Sequence, residues 1–180
     1  MSTKPSATKV VTGKARLSYV NVFQPRAQEE GKDPKYSVCI LIPKSDTATV
    51  DKVKAAIEAA KQAGISVWGG KIPPGLKVPL RDGDTERDAP EYKGHWFINA
   101  SSKQKPGVVD AQVNPILDQG EIYSGVYGRV SVNFYPYNQA GNRGIAAGLN
   151  NVQKVADGEP LSGRARAEDD FSAVDDDFLS

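Results

Sequence analysis

Residues 127–137, YGRVSVNFYPY, read as a strand with two unlike faces. Successive side chains of a strand point to opposite sides. Val130, Val132 and Phe134 therefore share one face, which is apolar and belongs in a core. Tyr127, Arg129, Ser131, Asn133, Tyr135 and Tyr137 share the other. That second face interleaves aromatic rings with a base and small polar groups. Buried whole, it would need a partner for every hydroxyl and amide. Either it faces solvent and a ligand, or it covers a sheet and packs under a loop.

The rest of the chain supplies more strands and one helix. Strand character starts near Val10 and runs to Phe23, with Leu17 and Tyr19 on one face and Arg16 and Ser18 on the other. A charged loop (24–35) follows, then YSVCILI (36–42), whose dense β-branched run reads as a central strand. Residues 46–63 form the helix. Ser45 or Asp46 can cap its start and Gly64 its end, and Val50, Val53, Ile57 and Ala60 make one apolar stripe. Residues 64–91 are rich in glycine, proline and charge, and predict a long loop with a short pairing near Leu76–Leu80. Strands resume over 92–101, 121–137 and 143–155, with a basic turn at 102–107 and a turn at Gly141 and Asn142. Long strands containing glycines such as Gly128, Gly144 and Gly148 suit the bends of a small barrel. The fold class expected is mainly β: an OB-fold-like, five-stranded antiparallel Greek-key barrel with one α-helix and a disordered acidic tail. The expected divisions are an arm (1–9), a barrel domain (10–158) and the tail (159–180).

Charge sharpens the functional reading. The chain carries 23 Lys and Arg against 22 Asp and Glu, a net +1 that by itself argues against a nucleic-acid binder. Residues 167–180 hold six of those acids and no base. Removing them leaves 16 acids against 23 bases, a body of net charge +7. A basic body joined to an acidic tail is segregated charge. Aromatic rings interleaved with bases suit single-stranded nucleic acid, because bases stack on rings while cations track phosphates. Lys14, Arg16, Lys35 and Arg143 can join the tyrosine face, and Lys103 and Lys105 flank a turn able to grip phosphate. Trp96 alternates with His95 and Phe97, so one of its two faces is core, and which one stays open. Trp68 is either a core plug or a stacking residue.

Other chemistries find little support. One cysteine, Cys39, and one histidine, His95, cannot build a zinc site or a disulfide framework, and neither sits in a nucleophile motif. No metal and no cofactor is expected. Asp82, Asp84, Glu86 and Asp88 alternate but miss calcium-loop spacing. Glu91-Tyr92-Lys93 copies the Glu-x-Lys of metal-dependent nucleases, which keeps a nuclease as a rival reading. No apolar run is long enough to span a bilayer, and the first residues lack a secretory h-region, so no membrane and a cytoplasmic site are expected. The end of the tail, Asp175, Asp176, Asp177, Phe178 and Leu179, can lie in a basic groove as a phosphate mimic or offer its aromatic end to a partner pocket.

IYSGVYGRVSVNFYPYNQAGNRGIAAGLNNVQKVADGEPL (122–161), WFINASSKQKPGVVD (96–110), TGKARLSYVNVF (12–23) and the DDDF end together resemble the phage single-stranded DNA-binding proteins. That is a viral OB-fold family of replication and recombination factors. The resemblance implies a non-enzymatic protein that binds single-stranded DNA without reading sequence. It also implies a tail that contacts replication proteins such as a phage DNA polymerase or helicase, in the cytoplasm of the infected bacterial host. By position, Lys103 and Lys105 match the family's basic turn, and Tyr127, Arg129, Tyr135 and Tyr137 its aromatic-basic strand. Two departures stand out. The helix follows the second strand rather than the third, and the tail ends in Phe178-Leu179-Ser180 rather than on an aromatic. A homodimer is one arrangement considered. A structural phage component is a second rival.

Overall fold

The structure, a computed structural model, describes residues 7–27, 31 and 33–161. In chain order it has β1 (Lys9–Val11), β2 (Ala15–Arg26), β3 (Lys35–Pro43), α1 (Thr47–Ala63), β4 (Arg81–Asp82), α2 (Gly83–Glu86), β5 (His95–Ser102), β6 (Gly107–Val109), β7 (Tyr127–Gln139) and β8 (Asn142–Ala156). Five of these close a ring: β2 pairs β3, β3 pairs β5, β5 pairs β8, β8 pairs β7, and β7 returns to β2. Taken in chain order, the ring runs first, second, third, fifth, fourth, which is the Greek-key order of an OB barrel. One seam differs from the all-antiparallel expectation. β5 and β8 run parallel, because the fifth strand closes beside the third (Ala100 opposite Ala147, Ser101 opposite Gly148). Short strands extend the edges: β1 on β7, β6 on β8 and β4 on β5.

The barrel interior is the expected apolar set. Val130, Val132 and Phe134 point inward and are almost wholly buried, with Leu17, Ile40, Ile98 and Val152. The helix caps one end of this core through Val50, Val53, Ile57 and Ala60. Asp46, not Ser45, caps it: Asp46 Oδ1 accepts from the Thr49 N–H at 3.2 Å, and Oδ2 from the Thr49 hydroxyl at 2.6 Å. Thr49 Oγ1 in turn accepts from the Gly13 N–H, which ties the cap to the turn before β2. Asp46→Ala will therefore cost about 1 kcal/mol, the usual worth of a lost cap. In urea unfolding the midpoint will fall with an unchanged slope. Trp68 is a core plug: its ring is buried and its Nε1 donates to the Tyr137 carbonyl at 3.0 Å.

β3 reads as an unbroken apolar run because both of its faces are covered. Val38, Ile40 and Ile42 face the interior. Cys39 and Leu41 face outward under Tyr92 and Phe97, whose rings meet edge-on at 5.1 Å between centroids. Tyr92 comes from the 64–91 region and its continuation, which is less irregular than expected. It contains β4, α2, a 3₁₀ turn at Pro90–Tyr92 and a bridge from Lys77 to Gly144. The first strand breaks at Thr12–Lys14, where the chain passes from the β7 edge into the ring. The hairpin turn between β7 and β8 is Ala140-Gly141, both with positive φ, one residue earlier than expected.

Candidate nucleic-acid interface

β2 carries the detail that reshapes the outer surface. Ser18 lies opposite Cys39 but Asn21 lies opposite Ser37, so three steps on β2 face two on β3. The extra residue forms a bulge, and Tyr19 takes φ +48° within it. Strict alternation put Tyr19 on the Leu17 face. The bulge turns it out instead, and the residue is 62% exposed while Leu17 is wholly buried.

Tyr19 stands over a groove of about 480 Å³. The groove floor is the outer face of β2, β3 and β5: Asn21, Ser37, Asn99 and Ser101, with Cys39 and Tyr92 in the wall. Three cations, Arg26, Lys35 and Arg87, line it, and among the described residues no carboxylate does. Arg87 is held over the Phe97 ring at 4.9 Å. Burial pushes the Cys39 thiol up to about 11, and Tyr92 is likewise raised by burial, so neither ionises near neutrality. The wall is uncharged hydroxyl and thiol; the positive charge comes from the three bases.

Across β5 the surface continues as a trough. β8 turns Gly144, Ala146 and Gly148 outward, so over this stretch nothing larger than a methyl rises from the strand. Asn99 and Tyr137 line the trough, with Lys77 and the paired Arg81 and Glu86. Tyr135, 42% exposed, lies opposite Ala146 and beside Gly148. Gly144 is required here: a Cβ would stand 2.7 Å from the Tyr137 hydroxyl and 2.7 Å from the Lys77 carbonyl oxygen.

The residues expected from sequence thus divide. Lys35 lies in the groove, and Tyr135 and Tyr137 at the trough. Arg143 sits at the β7–β8 hairpin tip beside Pro73–Lys77. Lys105 lines a separate cleft with Lys9, and Lys103 is exposed in the same turn. Trp96 is not on this face. It packs against the main core on the opposite side of β5, with Lys44 and Lys54 over its ring at 5.2 and 5.4 Å. Tyr127 is covered too, with Lys14 at 4.8 Å and Arg16 at 5.7 Å from its centroid. Arg129 donates to the Thr12 carbonyl at 3.0 Å and borders a small apolar hollow with Val11, Val109 and Val113. Tyr19, Asn21, Arg26, Asn99, Ser101 and Arg87 were not foreseen. They are scattered in sequence, and only barrel closure and the bulge bring them together.

Three carboxylates of the nuclease reading, Asp82, Asp84 and Glu86, are engaged with cations and backbone amides. Lys44 Nζ lies 2.7 Å from both Asp82 and Asp84, and Arg81 pairs with Glu86 at 2.8 Å. Asp84 also accepts from the Gly94 N–H. Among the described residues no three of His, Cys, Asp and Glu gather as a metal site. Lys44 holds both aspartates below the usual carboxylate range, and they hold its ammonium above the usual lysine value. Depressed carboxylates stabilise the fold above their unfolded value near 3.8 and lose that effect as pH falls through the lower folded value. The raised lysine stabilises below 10.5 and loses its effect as pH rises through the higher folded value. The Gly94 amide will therefore keep its hydrogen-exchange protection, after correction for intrinsic rate, across neutral pH and lose it only as pH falls through the lowered value of Asp84, below 3.8. Protection that persists in acid would show that Lys44 does not clamp this loop.

After β8 the chain crosses the outside of the barrel as a strap. Asp157 bonds Lys154 at 2.8 Å and accepts from Tyr123, and both contacts hold its carboxyl low. The Glu159 carbonyl accepts from Arg16 at 2.6 Å, and the Leu161 N–H donates to Ser124 at 2.8 Å. Gly125, at φ +112°, permits this crossing, because a Cβ there would collide with the Glu159 carbonyl. Leu161 packs on Cys39, Leu41, Tyr92 and Phe97. Two of those, Cys39 and Tyr92, are groove wall. Asp175, Asp176, Asp177, Phe178 and Leu179 lie outside the described residues, as does most of the N-terminal arm.

A family model described as Enterobacter phage Enc34, ssDNA-binding protein, matches residues 8–179. The chain belongs to this family. The Enc34 protein itself, solved in complex with ssDNA, is 27% identical and superposes with a TM-score of 0.78, covering 87% of this chain and 91% of that one. Protein p50 of Acyrthosiphon pisum secondary endosymbiont phage 1 is 32% identical, over 95% of this chain and 98% of that protein. The gp2.5 single-stranded DNA binding protein of bacteriophage T7 shares the fold at 19% identity, with a TM-score of 0.61 over 90% of this chain and 91% of that one. Membership in the Enc34 family spans the barrel, the strap and nearly all of the tail.

Proposed function

We propose that this chain is a phage single-stranded DNA-binding protein that coats exposed strands during replication, recombination or repair in the host cytoplasm. The barrel, about residues 10–158, is the binding unit, and it works without catalysis or base readout. Bases stack on Tyr19 and Tyr135, and Arg26, Lys35 and Arg87 neutralise phosphates. The observation that carries this reading is a groove whose described lining holds three cations and no carboxylate, with an exposed tyrosine at its mouth and the trough beyond. Family membership supports it. The Asn and Ser side chains of the floor donate and accept equally, which suits tolerance of any base.

The tail is read as the groove's tethered competitor and as a docking segment for replication proteins. Support comes from the strap, whose last described residue, Leu161, packs on the outer cluster that includes the groove-wall residues Cys39 and Tyr92.

Titration of labelled oligo-dT at several salt concentrations tests the binding itself. Affinity will fall linearly on a log–log plot, by about 0.7 per phosphate neutralised. Salt-independent or absent binding would refute it.

A further inference from the structure

The outward residues of the barrel line up across its strands. Asn21 lies opposite Ser37, Ser37 opposite Ser101, Ser101 opposite Gly148, Gly148 opposite Asn133, and Asn133 opposite Lys9. The row begins in the groove and holds no acid and no large apolar side chain. Neighbouring strands lie about 4.8 Å apart, so the four steps from Ser37 to Lys9 follow roughly 19 Å of barrel wall.

The row ends in a second cleft, of about 620 Å³. Lys9 and Lys105 line it together with the amides of Gln104, Asn133, Asn150 and Asn151, and among the described residues no carboxylate does. Asn133 accepts from the Thr8 hydroxyl at 2.9 Å and Asn151 from the Gly107 N–H at 3.1 Å, each through its carbonyl oxygen. The NH₂ groups of both amides have no protein acceptor among the described residues. Two ammoniums and unspent amide donors, with no competing anion, are the chemistry that holds phosphodiester oxygens.

We infer that this cleft is a second contact site for the same DNA strand, gripping its backbone after it leaves the groove at Ser101. The inference rests on the single-strand reading above and extends it. The DNA crosses the barrel strands along the polar row, turns around the wall and ends between Lys9 and Lys105. The footprint is therefore longer than the groove alone can hold, and lies within the roughly 4–16 nucleotides usual for one OB fold.

The test compares wild type, K9A/K105A and a control pair, K52A/K71A, which removes the same charge from exposed sites outside both clefts. Each binds oligo-dT of about 16 nucleotides and of about 5 nucleotides over a range of salt. On the long oligonucleotide, K9A/K105A will lower the salt slope by about 1.4 and weaken low-salt binding roughly fivefold to tenfold. On the short one it will match wild type, and the control pair will change neither slope. All four lysines are exposed, so melting temperatures will stay together. A K9A/K105A slope equal to the control's, or an equal loss on both lengths, would overturn the second site. A wild-type chain that binds neither oligonucleotide would overturn the single-strand reading and this inference with it.

Discussion

Replacing Tyr19 and Tyr135 together with alanine will weaken binding to oligo-dT by at least about 30-fold. Base–aromatic stacking is worth roughly 1–3 kcal/mol per ring by alanine substitution, so two rings give about 2–6 kcal/mol. The smaller figure is already about 30-fold in affinity. Both rings stand out from the barrel, one at the groove mouth and one at the trough. Neither belongs to the core, so the melting temperature will hold. Alanine keeps the Cβ at position 19, so the cost of its positive φ is unchanged. Y19F/Y135F will restore binding, because stacking needs the ring and not the hydroxyl. Tyr137 is the poorer probe. Its ring packs on Gly144, so its loss would mix stability with binding. A double alanine variant that melts early yet binds normally would show that these rings serve the fold.

Deleting residues 167–180 will tighten binding about tenfold to hundredfold at low salt. The deletion removes six acids and no base. A tethered segment competes at an effective concentration of the order of mM. Held with a dissociation constant in the range of non-specific polyanion binding, about 10⁻⁴–10⁻⁵ M, it occupies the groove most of the time. The gain will shrink as salt rises, because screening weakens the tail and the DNA alike. The deletion leaves Leu161 and the strap in place, so the barrel will melt as before. Unchanged affinity at low salt would remove the tail from the groove and leave it only a partner-docking role.

The two largest features were legible in the sequence for local reasons. The helix stripe and its cap lie within one segment, and each position repeats at the spacing of a helix. The two faces of 127–137 follow from alternation alone, and Val130, Val132 and Phe134 went inward as read. What escaped depends on other strands. Tyr19 turns out because β2 carries one residue more than β3 can pair, and neither strand shows this alone. Trp96 turns in because α1 and Lys44 cover its side of β5, while Tyr92 and Arg87 cover Phe97 on the other. Both faces there are buried, so alternation had no polar side to mark. The groove floor is made of Asn and Ser, residues that any loop or strand edge can hold. Their meaning comes only from standing in one row. The tail's charge was plain in the composition, but its starting point was not. The strap that sets it depends on Arg16, Ser124 and the outer cluster, all far from it in sequence.

On the proposed path a single DNA strand lies on the outer face of β2, β3, β5 and β8. Amide chemical-shift changes on adding oligo-dT to the isotopically labelled protein test it most directly. Shifts will concentrate at Tyr19, Asn21, Ser37, Asn99, Ser101, Ala146 and Gly148 and saturate together with one affinity. Shifts confined to the exposed face of α1, or to Trp96 and Tyr127 with the groove silent, would contradict it.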